Sequence, residues 1–251
     1  MQNLRLALLS CILWFSGFLQ ADTVRVALAS NFAAPMREIA RLFELESGHQ
    51  VDMVVSSSGK IFAQIRYGAP FDVFLSADAS KPSALVAKGL AVADSQFSYA
   101  IGRLVLWSPK PTLFDNSPAI LRGSLFKTLA LANPLHAPYG EAAVEVLSQL
   151  GLYEALAGKI VRGENIAQTF QFISTGNAEL GFVALSQLRD RRQVEIGSQW
   201  LVPATMHSPI RQDAVLLTPA ADKPAALEFM QFLQSAPIRE LISASGYLLA
   251  D

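Results

Sequence analysis

The chain has few of the residues that usually carry covalent or metal chemistry: its 251 residues include three histidines and one cysteine. A lone Cys11 cannot close an internal disulfide or build a cysteine-rich zinc site. Charge is scarce as well. Asp, Glu, Lys and Arg make up 16% of the residues, against a usual share of about 25%. The 20 basic groups are balanced by 21 acidic ones, for a formal charge of −1. No basic run is present, so the footprint needed to bind a phosphate backbone is missing and nucleic acid is not an expected partner. The glycines contain no G-x-G pair, which excludes a dinucleotide fingerprint, and Val54 stands where a phosphate loop ending in Gly59-Lys60 would need its first glycine. No serine sits in G-x-S-x-G. His49, His136 and His207 are far apart and form no H-E-x-x-H pair, so none is assigned a direct role. The carboxylate pairs Glu44/Glu46 and Asp72/Asp78 read as a helix face and strand ends.

What the chain does have is apolar mass. Hydrophobic residues make up 51% of it, enough to core one large domain or two small ones. At the N-terminus, Arg5 precedes a charge-free stretch from Leu6 to Leu19, followed by Gln20-Ala21 and the polar Asp22-Thr23. That is the layout of a secretory signal peptide, and it is too short to span a bilayer. Residues 1–21 are read as the signal peptide, with cleavage after Ala21; a retained membrane anchor is the alternative. Removing them leaves an exported chain without cysteine, which suits a bacterial periplasm.

Along the rest of the chain, strand patterns alternate with helix patterns. Val24–Ala29 is a short β-prone run, and Ser30-Asn31 supply N-cap chemistry. Met36, Ile39, Ala40 and Phe43 then mark one face of a helix that stops at Gly48. The pattern recurs: Val51–Val55 before a helix over Lys60–Arg66, and Asp72–Leu75 before a helix over Lys81–Lys88. Further on, Leu129–Ala132 precedes a helix over Glu141–Leu150, and Lys159–Val161 precedes one over Ile166–Ser174, with Leu180–Ala184 following. Such alternation predicts an α/β fold with parallel sheets covered on both faces. Two longer strands, Ala100–Trp107 and Ile210–Leu217, are read as paired crossovers between two lobes, and helices over Ala225–Leu233 and Ile238–Ser243 close the chain. The crossings fall at about 101–104 and 207–211.

Ser30-Asn31, Ser56-Ser57-Ser58-Gly59, Pro138-Tyr139-Gly140 and Asn165-Ile166 each stand at a predicted strand-to-helix junction. Ligands of open α/β sheets bind outside the carboxyl ends of the strands. A helix start there presents unpaired N–H groups and about half a positive charge. Four such starts around one cleft make an anion site, and serine hydroxyls add donors without a counter-charge. The same residues also serve as ordinary caps and turns; it is their recurrence that favours a site.

The segments VRVALASNFAAPMREIARLFELESG (Val24–Gly48), SSSGKIFAQIRYGAPFDVFLSAD (Ser56–Asp78), LANPLHAPYGEAAVEVLSQLG (Leu131–Gly151), ENIAQTFQFISTGNAELGFVALSQ (Glu164–Gln187) and PIRQDAVLL (Pro209–Leu217) together resemble the periplasmic molybdate-binding proteins, the solute receptors of molybdate ABC importers. The resemblance runs in order over nearly all of the chain after residue 21. It implies a two-lobed, type II periplasmic-binding-protein fold, each lobe a mostly parallel sheet flanked by helices. Lobe I would hold residues 22–102 and 208–251, lobe II residues 103–207. The implied ligand is molybdate or tungstate, held without a cofactor by neutral donors: the Ser30 and Ser58 hydroxyls and the backbone N–H groups of Asn31, Tyr139 and Ile166. Some members carry a tyrosine hydroxyl where this chain has Ala184; either Asn31 or Tyr139 then completes the shell, or the ligand set is altered. The implied role is binding rather than catalysis, by a monomer that delivers the oxyanion to an inner-membrane ABC permease.

A shell of this kind is energetically sufficient. A hydrogen bond to a charged group is worth roughly 1.5–3 kcal/mol, so about six of them offset desolvation and leave the roughly 8–12 kcal/mol of micromolar to nanomolar binding. A donors-only shell rejects phosphate, whose retained proton would meet a donor, whereas sulfate has to be rejected by size. Two alternatives follow from the sequence. One is a receptor of the same architecture for sulfate, thiosulfate, a ferric complex or an organic anion. The other is a secreted hydrolase using a junction serine, for which Lys60 is the only adjacent base.

Overall fold

The computed structural model describes residues 21–189 and 197–250; the expected signal peptide, apart from Ala21, lies outside them. Ten strands form two sheets of five among the described residues. The first holds β1 (Thr23–Ala29), β2 (Gln50–Ser56), β3 (Val73–Leu75) and β4 (Phe97–Gly102), together with the last strand of the chain. The second holds β5 (Leu104–Ser108), β6 (Leu129–Ala132), β7 (Ile160–Gly163), β8 (Leu180–Ala184) and β9 (Ser198–Leu201). The chain then returns to the first sheet as β10 (Ile210–Leu216).

The strand orders are β2-β1-β3-β10-β4 and β7-β6-β8-β5-β9. In the first sheet β1 pairs in parallel with β2 and β3, while β10 runs antiparallel to β3 and β4. In the second, β6 pairs in parallel with β7 and β8, while β5 runs antiparallel to β8 and β9. Each sheet is thus mostly parallel, with one reversed strand beside its last member, and that strand is the first after a chain crossing. This is the expected α/β class with two packed sheets.

The apolar run Ala100–Trp107 differs from the single strand expected of it. It is two strands in different sheets, divided at Arg103. Both halves are largely buried, so hydrophobicity continues across a change of sheet and hides the break. β9 and the short helix Tyr153–Leu156 carry too little pattern to be anticipated.

The helices form for the reasons the sequence offers. Ala33–Ser47 buries Met36, Ile39, Ala40 and Phe43, and Gly48 closes it at φ 74, the left-handed cap conformation glycine adopts without penalty. Pro138 and Pro224 open the helices Pro138–Gln149 and Pro224–Phe232, where a missing N–H costs nothing. Asn165 caps Ile166–Ser174 by accepting from the N–H groups of Ala167 and Gln168 at 3.0 Å each. Both faces of each sheet are covered. In the first, Val24, Val26 and Leu28 pack on Ala33–Ser47 and the C-terminal helices, while Ala27, Phe74 and Val215 pack on Ser58–Arg66 and Ser80–Ala87. In the second, Leu106, Leu131 and Phe182 face Pro138–Gln149, while Trp107 and Val183 face Ile166–Ser174. No helix among the described residues is long and apolar enough to cross a membrane.

Candidate functional site

In each sheet the loops after the parallel strands leave from one edge, and the two edges meet. After β1 comes the turn Ser30–Phe32, after β2 the helix Ser58–Arg66, after β6 the helix Pro138–Gln149 and after β7 the helix Ile166–Ser174. Contacts between the sheets join these junctions. Ala167 N–H donates to Ser30 Oγ at 3.3 Å, and Gly59 N–H donates to the His136 carbonyl at 2.9 Å. Ser186 Oγ donates to the Asn31 carbonyl at 3.0 Å. Lys60 and Glu164 pair across the rim, and the neighbouring ammonium holds the Glu164 carboxyl below its usual range. A side chain at Gly59 would stand 2.9 Å from His136 Cα, so only glycine admits this approach without movement.

All five residues predicted for the site are buried: Ser30, Asn31, Ser58, Tyr139 and Ile166. Ser58 Oγ accepts from Ala77 N–H at 2.9 Å, as Ser30 Oγ does from Ala167. A hydroxyl that accepts in this way keeps its own hydrogen to give away. The N–H groups of Ser58, Tyr139 and Ile166 lie in the first turns of their helices, where no intrahelical acceptor exists; that of Asn31 is in the same position in its single turn. The junctions thus offer hydroxyl and backbone donors, and no lysine or arginine side chain hydrogen-bonds either serine hydroxyl among the described residues. Such an arrangement can solvate a small anion and has no counter-charge to offer it.

Several contributors escape a sequence reading. Gln187 accepts from Ala184 N–H at 2.9 Å and donates to the Ile166 carbonyl at 3.0 Å, fixing the Ile166–Ala167 peptide. Tyr247 donates to the Asn31 carbonyl at 2.8 Å and lies 3.0 Å from Ser186 Oγ. Ala184 therefore leaves no shortage of hydroxyls nearby, although these two are occupied with Asn31. The Asn31 amide in turn donates to Gln212 Oε1 at 2.8 Å and to Tyr247 Oη at 3.0 Å. With both hydrogens used, Asn31 has only its backbone N–H to offer a ligand. The one local signal for Gln212 was the polar run Arg211-Gln212-Asp213 inside an otherwise apolar strand.

The remaining candidates stand elsewhere. His49 accepts from Asp22 N–H at 3.1 Å, lies 3.4 Å from Glu228 and stacks on Phe43 behind the first sheet. His207 is bonded to the neighbouring Ser208 carbonyl. Asp72 takes the Arg25 N–H and Lys223, while Asp78 takes Lys81. No group of three or more His, Cys, Asp and Glu side chains among the described residues is arranged to hold a metal ion.

Residues 24–248 match the family of bacterial extracellular solute-binding proteins. The chain belongs to that family. Among relatives of this solute-binding protein, the molybdate-binding protein ModA of Azotobacter vinelandii is 50% identical over 228 residues, 91% of this chain and 90% of the relative. ModA of Rhodobacter capsulatus is 46% identical over 91% of this chain and 89% of its own. The solved periplasmic molybdate-binding protein of Azotobacter vinelandii superimposes with a TM-score of 0.88 at 40% identity, covering 91% of this chain and all of that one. The sulfate-binding protein SubI of Mycobacterium tuberculosis shares the fold alone, with a TM-score of 0.73 at 13% identity over 92% of this chain and 88% of that one.

Proposed function

We propose that this solute-binding protein is the periplasmic receptor of a molybdate importer: it binds molybdate, and tungstate likewise, and delivers it to an ABC permease in the inner membrane. The observation that carries this reading is the meeting of four strand-to-helix junctions from two sheets, whose residues Ser30, Asn31, Ser58, Tyr139 and Ile166 are buried and offer N–H and O–H donors, while the junction cation Lys60 is paired with Glu164 at the rim. The identity to two molybdate-binding relatives supports the choice of oxyanion. In this reading Ser30 and Ser58 donate by hydroxyl, and Asn31, Tyr139 and Ile166 by backbone N–H. Burial and neutral donors replace water around the dianion, each charged hydrogen bond contributing roughly 1.5–3 kcal/mol.

Lobe I comprises residues 22–102 and 208–251, and lobe II residues 103–207; the two close about the segments near 103 and 209. The lobes separate to admit the anion, because the junction residues are buried when the edges meet. The protein acts as an exported monomer whose residues 1–21 are removed, needs no cofactor and catalyses no reaction. A serine hydrolase is disfavoured because Ser30 and Ser58 accept from backbone N–H groups while Lys60 is taken by Glu164.

Calorimetry tests the reading. Molybdate and tungstate should bind with micromolar affinity or tighter, and sulfate, thiosulfate and phosphate far more weakly. Preference for sulfate would replace the ligand but keep the receptor. Binding of no oxyanion would end the reading. X-ray scattering should give a smaller radius with molybdate than without it, and equal radii would remove the closure step.

A further inference from the structure

A buried side chain that touches none of the proposed ligand atoms ties the two lobes together behind the site. Gln212 lies on β10, where its register against β4 shifts between Gln212 and Asp213, and such bulges re-aim side chains. It is fully buried. Its Oε1 accepts from Asn31 Nδ2 at 2.8 Å and shares the Tyr99 hydroxyl, at 3.1 Å, with the Ser76 carbonyl at the same distance, and its Nε2 donates to Tyr139 Oη at 3.2 Å. Asn31 belongs to the first sheet's edge and Tyr139 to the second's, and each offers the proposed anion its backbone N–H. The contact is built in sterically as well. A side chain at Gly102 would stand 2.2 Å from Tyr139 Oη and 2.7 Å from Gln212 Nε2, so the bare glycine is what lets the three groups meet. Phe32 supports them from below, with ring centroids 4.7 Å from Tyr99 and 5.6 Å from Tyr247.

We propose that Gln212 is a positioning residue of the oxyanion site, orienting the Asn31 and Tyr139 donors of opposite lobes through one neutral amide and keeping negative charge away from the bound dianion. The inference rests on the proposed function and deepens it. The amide suits the position: the Asn31 amide gives one hydrogen to its oxygen, Tyr99 shares its hydroxyl between that oxygen and the Ser76 carbonyl, and Tyr139 takes a hydrogen from its nitrogen, so one neutral group serves as acceptor and donor without a charge at neutral pH. A carboxylate would satisfy Asn31 and Tyr99 but would lie, unscreened, behind an anion. The titratable groups facing Gln212 are the phenols of Tyr99 on β4, Tyr139 on its helix and, through Asn31, Tyr247 in the C-terminal segment. Burial pushes all three upward, so they stay neutral. Asp78 and Asp213 act on Tyr99 by charge, and the Arg103 backbone hydrogen-bonds Tyr139.

The test is molybdate calorimetry on the full mature chain as wild type, Gln212→Glu and Gln212→Met, each checked for folding by circular dichroism. The pH is lowered from about 8 to about 5.5, through the window into which burial lifts a carboxyl. Relative to wild type at each pH, Gln212→Glu should bind roughly a hundredfold more weakly at the alkaline end and recover most of that loss on acidification, as the carboxyl takes up a proton. Gln212→Met should bind about tenfold more weakly at every pH, as the loss of orienting hydrogen bonds requires. A Gln212→Glu protein that binds as wild type throughout, or whose loss does not change with pH, overturns the proposal. If that variant does not fold, Gln212→Met decides: wild-type affinity overturns it and a tenfold loss supports it. Wild type that binds no molybdate overturns the functional reading and this inference together, whereas failure confined to the variants overturns this inference alone.

Discussion

The two sheets repeat one order of strand directions, with three parallel strands, a reversed strand and a final strand, yet their carboxyl edges carry different chemistry. After β1 and β2 the junctions carry serine hydroxyls, at Ser30 and Ser58. After β6 and β7 they rest on a proline-opened helix and an asparagine cap, with the apolar side chains of Pro138 and Ile166 in the first turns. The topology decides where donors stand, and the side chains decide which kind they are. A hydroxyl disappears with one substitution, whereas a backbone N–H persists under almost any. With the proposed ligand set, the first sheet's edge would tune the affinity and the second's would supply a fixed frame.

The largest effect should come from Ser30→Ala and Ser58→Ala. Each removes one hydrogen bond to a charged group, and a loss of roughly 1.5–3 kcal/mol corresponds to about ten- to a hundredfold in affinity. Ser58→Ala should be the more damaging, because Ala77 N–H loses its acceptor, whereas Ala167 N–H, on losing Ser30 Oγ, keeps the Asn165 side chain. Calorimetry of both proteins reads the difference, and unchanged affinity in both would remove the serines from the site. Next is Gly59→Ala, whose side chain would stand 2.9 Å from His136 Cα. Overpacking of this kind costs about 1–3 kcal/mol, and here the cost falls on closure rather than on folding. Its scattering radius with molybdate should therefore stay close to that of the free protein, while the melting temperature hardly moves.

Asn165→Ala sharpens the other side of the comparison. The cap accepts two N–H groups, and its removal should cost about 1 kcal/mol of stability, seen as a melting temperature lower by about 2–4 °C. The corresponding Ser57→Ala in the first sheet should cost less, because its single cap bond is longer, at 3.4 Å. Ile166→Val should change molybdate affinity least, within about twofold, since the donor there is the main chain and the side chain is only packed. A large loss from Ile166→Val would mean that the frame is not made of backbone groups.

Local pattern carried most of the elements and little of the site's interior. Leu129–Ala132, Leu180–Ala184 and the helix Ile166–Ser174 coincide with their expected bounds, because each has a clear period and a clean stop. The junction serines were legible for the same reason: caps and turns are written within a few residues. A crossing near 101–104 was legible, but the break of the run into two strands at Arg103 was not, since a strand buried on both faces reads alike on either side of a change of sheet. Least legible was the chain of contacts behind the junctions. Asn31 meets Gln212 and Tyr247 across sequence separations of 181 and 216 residues, and no window on the sequence spans such pairings. A glutamine in an apolar strand signals that a buried amide needs partners; it does not say which partners those are.

The most direct test of the central claim is a crystal structure of the mature protein grown with molybdate, with the metal located by its anomalous scattering. The account predicts one molybdenum peak between the two sheet edges, within hydrogen-bond distance of the Ser30 and Ser58 hydroxyls and the Asn31, Tyr139 and Ile166 N–H groups, with no lysine or arginine side chain touching its oxygens. A peak elsewhere in the fold, or an oxyanion clasped mainly by basic side chains, would contradict it.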